Sequence, residues 1–237
     1  QLIDYGFDKS DSTFFIVTKY CGKDFANLIY ELPEFLNEEG ENFDKSISDI
    51  WKKIRKMSAK KRWAALYEDL EQILDGLVHA FNNGILHRDL KPANVMVEIT
   101  ESKEDPKQVF KLIDFGLATK DEAFSENQLT LKGIGTHLYT PESTKEREES
   151  LETIDVYSWA VMAIEYLAIP YIKNGIQEFS NYPDLLRVFE DDIEPNYPKA
   201  VTKLLKRCVS LRPKNCPKNI IELKREIEDI NKKLRSA

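Results

Sequence analysis

Four side chains in two short segments could do chemistry together. His87-Arg88-Asp89-Leu90-Lys91-Pro92-Ala93-Asn94 carries a carboxylate, an ammonium group and a carboxamide close together, and Asp114-Phe115-Gly116 adds a second carboxylate. A loop carboxylate within reach of a hydroxyl can accept its proton. A nearby ammonium can offset charge that builds on an anionic oxygen. The oxygens of Asn and Asp are hard ligands that suit a divalent cation such as Mg²⁺. An isolated Asp in a loop usually caps a helix or closes a turn. Two Asp, one Asn and one Lys in a single pattern weigh against that reading.

The elements around these residues have to position them. Ser58 is a candidate N-cap for a helix in which Leu66, Leu70, Ile73, Leu74, Leu77 and Phe81 recur at three- and four-residue spacing. Gly84 stands where a C-terminal glycine belongs. Two short strands follow, Val95–Ile99 and Val109–Ile113, joined by a charged turn. Asn94 and Asp114 flank this hairpin, and strand ends hold side chains more rigidly than loops do. Residues 2–7 and 14–20 are aromatic and β-branched around a polar turn, which signals an earlier hairpin. Asp155 to Ala168 is apolar nearly all round and predicts a buried helix, with Pro170 after it. Further helices are expected at 182–190, 198–209 and 217–235. Strands first and helices afterwards, with one small hairpin between, make an α+β pattern.

Residues 31–62 read as an exposed, charged insertion with one amphipathic helix near Ile47, Ile50, Trp51 and Ile54. Its basic stretch, Lys52 to Arg62, is either a docking or import patch or a solvated helix face. The 237 residues are 42% hydrophobic and 11% aromatic, enough for a substantial core and too apolar for a disordered chain. A net charge of -7 argues against a protein that grips phosphate backbones, so no nucleic-acid partner is expected. There is no apolar run long enough to span a membrane. Cys21, Cys208 and Cys216 are too few and too scattered for a disulfide framework or a zinc site, which favours a reducing, intracellular and cytoplasmic setting. Gln1 opens on a strand already under way, so the sequence reads as starting inside a domain.

The order H-R-D-L-K-P-x-N, then D-F-G, then Thr140-Pro141-Glu142 after a long loop resembles the eukaryotic protein kinase family, Ser/Thr type. The resemblance implies a kinase-like fold: residues 1–18 as the last hairpin of the N-lobe, 19–24 as the hinge, and 25–237 as the C-lobe. It implies transfer of the γ-phosphoryl group of ATP to Ser or Thr hydroxyls of a protein substrate. Asp89 would then receive or orient the hydroxyl proton, and Lys91 would reach the transferring group. Asn94 and Asp114 would hold Mg²⁺. Thr18 would be a small gatekeeper, and backbone groups of Lys19 and Cys21 would pair with adenine. Asp24 would meet the ribose and Met96 would pack under the base. Lys91 and Gly135-Thr136 fit the Ser/Thr class, with the Thr136 hydroxyl bridging Asp89 and Lys91. Ala93 stands where kinases that prefer a preceding arginine often carry Glu.

In the same family His87 is a packing residue and Phe115 a core residue stacked toward it. Asp155 would accept backbone N–H bonds from the catalytic loop. Arg88 is a mark of kinases switched by phosphorylation, from an upstream kinase or by autophosphorylation, with Ser125 and Thr130 as candidate sites. The segment Gly133 to Tyr139 is locally similar to stress kinases that act on a translation initiation factor. Three departures stand out. There is no Gly-rich loop, no V-A-I-K lysine and no partner glutamate. Arg212 and Cys216 replace the family's Asp and Arg near Pro217, which alters the expected partner of Glu142. Ala160 replaces a common Gly. The missing phosphate-binding parts make a catalytically silent kinase-like scaffold the alternative to an active kinase.

Overall fold

The computed structural model describes residues 2–8, 13–18, 23–26, 51–99, 108–115, 119–120, 138–139, 152–171, 181–210 and 216–236. The candidates Lys19, Cys21, Ser125, Thr130, Thr136, Glu142 and Arg212 lie outside these residues. Helix dominates, and the strands are short. Strands β1 (Leu2–Asp8) and β2 (Thr13–Thr18) form an antiparallel pair that runs from Leu2 opposite Thr18 to Asp8 opposite Thr13. Strands β3 (Lys23–Asp24), β5 (Val95–Ile99) and β6 (Gln108–Leu112) form a second antiparallel sheet in the order β3-β5-β6. A third pairing joins β4 (Ile85–Leu86) to β7 (Thr119–Lys120).

Helix α1 (Ala59–Asn82) buries Trp63, Leu66, Tyr67, Leu70, Ile73, Leu74 and Leu77, the stripe its periodicity predicts. Ser58 occupies the N-cap with extended backbone, but its hydroxyl makes no capping bond. At the other end Asn83 and Gly84 donate to the carbonyls of Ala80 and Phe81, each at 2.9 Å. Gly84 has φ 71°, the left-handed conformation that only glycine adopts without strain. Gln72 binds the helix to the edge of β6, donating to the Gln108 carbonyl and accepting from the Phe110 amide.

Helix α2 (Glu152–Ala168) is the centre of the molecule, and every residue from Ile154 to Ala168 is buried. A short 3₁₀ turn, Ile169–Tyr171, follows it at Pro170, whose ring cannot continue a helix. Helix α3 (Tyr182–Val188) starts from Asn181, whose side chain accepts from the Asp184 amide, and runs into a π-helical turn, Phe189–Ile193. Helices α4 (Lys199–Val209) and α5 (Ile220–Ser236) pack with α1 and the π turn around α2. Polar ties cross these contacts: Trp63 Nε1 donates to Asn231 at 2.6 Å, and the Tyr197 hydroxyl to the Leu167 carbonyl at 2.6 Å. Among the described residues no helix is long and apolar enough to cross a membrane.

The basic stretch ahead of α1 divides. Lys52, Lys53, Arg55, Lys56, Lys60 and Lys61 face solvent, as a solvated face requires. Arg62 does not. It is 6% exposed and donates to the carbonyls of Ile54, Arg55, Met57 and Asn196 at 2.5–3.2 Å. The rings of Tyr171 and Tyr197 lie 5.4 and 5.6 Å from its guanidinium carbon. A charge ladder in sequence does not reveal which member turns inward; the carbonyls that receive Arg62 come from separate segments. Trp51 is also buried, edge-on to Tyr166, so this end of the charged region is joined to the core.

Candidate active site

The loop between β4 and β5 takes its shape from α2. The backbone amides of His87 and Arg88 donate to the two carboxylate oxygens of Asp155, each at 2.8 Å. Arg88 has φ 64°, a conformation that a long side chain rarely adopts. Such strain persists only where surrounding contacts over-determine it, and the Asp155 carboxylate is that contact. Burial pushes the Asp155 carboxyl above its usual range, while the amides of Arg88 and His87 pull it back. Asp155 therefore has the supporting role expected of it.

The strained turn delivers Asp89. Its Oδ2 accepts from Lys91 Nζ at 3.0 Å and from Asn94 Nδ2 at 3.0 Å. Asn94 Nδ2 also donates to the Asp89 carbonyl at 2.7 Å. A 3₁₀ turn, Pro92–Asn94, closes the loop, with proline at its first position, where a missing N–H costs nothing. Leu90 and Pro92 anchor it in the interior.

The second segment comes alongside through backbone pairing. The Ile113 amide donates to the Asn94 carbonyl at 3.0 Å, and the register sets Val95 opposite Leu112. The backbones of Asn94, just before β5, and Asp114, just past β6, are thereby brought together, although the chain separates them by a hairpin. Asp114 is exposed and has φ 57°, which Asp tolerates better than most residues. His87 completes the join. It is fully buried and its Nε2 lies 3.1 Å from the Ile113 carbonyl, so this nitrogen carries the proton. Its ring centroid is 4.6 Å from that of Phe115. His87 is the packing residue the sequence suggests. Phe115 is stacked toward it as expected but is 39% exposed, so it is not a core residue here.

Asp24 and Met96, distant in sequence, are direct partners across β3 and β5. Thr18 ends β2. Phe25, next to Asp24, has no exposed surface and packs on Phe110 and Tyr166 at 5.4 and 4.9 Å. One further set of contacts escaped the sequence reading. The Ser158 hydroxyl donates to the Tyr139 carbonyl at 2.7 Å, and the Tyr139 hydroxyl donates to the buried Glu165 carboxylate at 2.6 Å. Helix α2 thus holds the backbone of the β4–β5 loop at one point and Tyr139, just past the Gly135-Thr136 pair, at another. Glu165 and Ser158 sit inside an apolar helix, and a polar residue buried there is the signal that could have found them.

The arrangement suits a hard cation. Both hydrogens of the Asn94 amide are committed to Asp89, which leaves its carbonyl oxygen as the ligand atom. Asp114 adds an exposed carboxylate nearby. Among the described residues no cluster of three or more His, Cys, Asp and Glu forms a metal cage. Two protein oxygens with the remainder from phosphate and water is how Mg²⁺ is usually held in such sites.

A family model described as the protein kinase domain matches residues 5–219. The interferon-induced, double-stranded RNA-activated protein kinase of Rattus norvegicus is 30% identical over 90% of this chain and 37% of its own length. A probable serine/threonine-protein kinase of Clostridium acetobutylicum is 28% identical over 76% of this chain and 26% of its own. Calcium-dependent protein kinase 4 of Plasmodium falciparum is 31% identical over 68% of this chain and 29% of its own. The chain therefore spans well under half the length of these relatives.

Proposed function

The chain belongs to the protein kinase family, and on that premise we propose that the protein transfers the γ-phosphoryl group of ATP to Ser or Thr hydroxyls of a protein substrate. The observation that carries this reading is the constellation of Asp89, Lys91 and Asn94 hydrogen-bonded together, with Asp114 held beside it through the Ile113–Asn94 backbone bond. Resemblance to a probable serine/threonine-protein kinase of Clostridium acetobutylicum supports the acceptor class.

ATP supplies the phosphoryl group when bound, and Mg²⁺ neutralises the charge that builds on it. Asn94 and Asp114 would hold the metal. Asp89 acts on the acceptor. Its Oδ2 is engaged by Lys91 and Asn94, which orients the carboxylate and leaves Oδ1 to receive the hydroxyl proton. Lys91, 25% exposed, is near enough to Asp89 to serve both the acceptor and the transferring oxygens. Residues 1–18 and 19–24 are read as the end of the N-lobe and the hinge, and the remainder as the C-lobe. Thr18, Lys19, Cys21, Asp24 and Met96 then receive the nucleoside, a reading supported by the pairing of Asp24 with Met96. Thr136 is assigned to bridge Asp89 and Lys91.

The test is phosphoryl transfer by the full-length protein, with radiolabelled ATP and a generic Ser/Thr acceptor. Asp89→Asn should abolish transfer while leaving the melting temperature within about 2 °C, since the amide retains an oxygen for Lys91 and Asn94. Absence of transfer by the unaltered protein with either Mg²⁺ or Mn²⁺ would reject catalysis and leave the scaffold reading.

A further inference from the structure

We propose, resting on the kinase reading above, that the basic surface ahead of α1 docks an acidic segment of the protein substrate, remote from the hydroxyl that is phosphorylated. Seven cationic residues lie between Lys52 and Arg62, and no Asp or Glu occurs from Trp51 to Tyr67. All but Arg62 are exposed, in a chain whose net charge is -7. Among the described residues Lys53, Lys56, Lys60 and Lys61 form no ion pair. The placement also runs against helix electrostatics. Lys60 and Lys61 stand in the first turn of α1, which has no acidic residue and no side-chain cap. A helix N-terminus is its positive end, so cations there are unfavourable and an anion is favourable. A sequence that keeps such a local conflict marks a functional surface. The backbone that carries the cations is fixed beforehand. Trp51 is buried, and Arg62 ties the carbonyls of Ile54, Arg55 and Met57 together from beneath. Binding then has less ordering to overcome.

A carboxylate-rich peptide fits this surface better than a larger polyanion does. A short acidic strand meets the patch alone, whereas a membrane or a nucleic-acid duplex also faces the rest of a molecule that is negative overall. Two helices set how far the patch lies from the chemistry. The start of α2 holds the loop that carries Asp89, through Asp155. Tyr171, just past the other end of α2, lies against Arg55 and Arg62 at 6.0 and 5.4 Å. Helix α2 has 17 residues, so it is about 25 Å long. Helix α1, 24 residues and about 36 Å long, also runs from the patch toward that loop. An acidic segment on the patch and an acceptor at Asp89 are therefore about 25–35 Å apart. Extended chain covers about 3.3–3.6 Å per residue, so the two parts of the substrate must be separated by about ten residues or more. Such a segment is not part of the sequence around the acceptor; it raises the acceptor's effective concentration at Asp89 through a tether.

The experiment uses the full-length protein and a generic Ser/Thr acceptor peptide, alone or joined to a Glu-rich segment by a Gly/Ser spacer. With a spacer of about 20 residues, whose mean reach is about 25 Å, KM should fall about tenfold while kcat is unchanged. A spacer of about four residues, or Gln in place of Glu, should give no gain. The gain should vanish at high salt. Lys53→Gln, Lys56→Gln, Lys60→Gln and Lys61→Gln together should abolish it and leave transfer to the unextended acceptor as it was. This variant should melt at or above the parent, because cations leave the positive end of α1; a fall of more than about 2 °C would make the lysines structural and overturn the proposal. Fluorescence anisotropy of the labelled Glu-rich peptide alone reads binding without any transfer. Transfer without that binding overturns the docking site and leaves the kinase reading; binding without transfer does the reverse. Lysine-dependent binding of phosphatidylserine vesicles or a DNA duplex in place of the peptide would also overturn it. So would peptide binding that appears only when Glu31, Glu34, Glu38, Glu39, Glu41 and Asp44 are replaced by Gln, since the chain's own acidic stretch would then be the occupant.

Discussion

Replacing Asp155 by alanine removes the two acceptors that hold the His87 and Arg88 amides, each at 2.8 Å. Hydrogen bonds to a charged group contribute about 1.5–3 kcal/mol apiece, so their joint loss is worth about 3–6 kcal/mol. Two effects offset part of this. A desolvated carboxylate disappears, and Arg88 can leave its left-handed conformation, which costs about 1–3 kcal/mol to maintain. The net destabilisation should be about 2–4 kcal/mol, read as a fall of roughly 5–15 °C in melting temperature for a chain of this size. Catalysis should suffer more than stability alone explains. Asp89 directly follows Arg88, and a misplacement of about 1 Å at a reacting group can cost about 100-fold in rate. Asp155→Asn should do similar damage, because one oxygen becomes an NH₂ group facing an N–H donor. The assays are urea denaturation, hydrogen exchange at the His87 and Arg88 amides, and phosphoryl transfer. Asp155→Ala within about 0.5 kcal/mol of the parent, with both amides still protected, would refute the role given to this carboxylate.

Other substitutions probe other links. Arg62→Lys should lose about 2–4 kcal/mol of stability in denaturant titration, since an ammonium cannot span carbonyls from separate segments as the guanidinium does. A loss under 1 kcal/mol would mean those bonds are replaced by water. Asp69 accepts from the Tyr166 hydroxyl, and burial raises its carboxyl above the usual range, with the Tyr166 bond opposing. Its contribution to stability is therefore complete below the unfolded pKa of 3.8 and is lost as pH rises through the folded value. Stability of Asp69→Asn relative to the parent should thus improve as pH rises from that point, and a flat difference across pH 3–7 would contradict the shift. Gly84→Ala should cost about 1 kcal/mol by calorimetry, from backbone strain alone, because nothing lies within 4 Å of the added carbon.

Local signals made much of the scaffold legible. Helix α1 follows from its apolar spacing and α2 from being apolar all round; both depend on short-range periodicity that burial then satisfies. The β5–β6 hairpin was readable because its strands are close in sequence, though its second strand starts one residue earlier than expected, at Gln108. The hydroxyl of Ser58 behaved otherwise than propensity suggests, since cap preference describes an average over contexts and this side chain makes no bond. Exposure of Phe115 likewise depends on what covers it, which its motif does not encode.

The sequence by itself determined the chemical inventory: Asp89, Lys91, Asn94 and Asp114 in their order, each next to an element able to hold it. Tertiary structure decided which atoms are committed and which are left to act. Asn94 turns both amide hydrogens to Asp89 because the 3₁₀ turn brings it back over the loop. Arg88 is left-handed because Asp155, on a different helix, receives its amide. Arg62 is inside because the carbonyl of Asn196, brought in by the fold, joins three carbonyls from the turn just before it. Residue types and spacing are properties of the chain, whereas strain, burial and convergence arise only when distant segments occupy the same space.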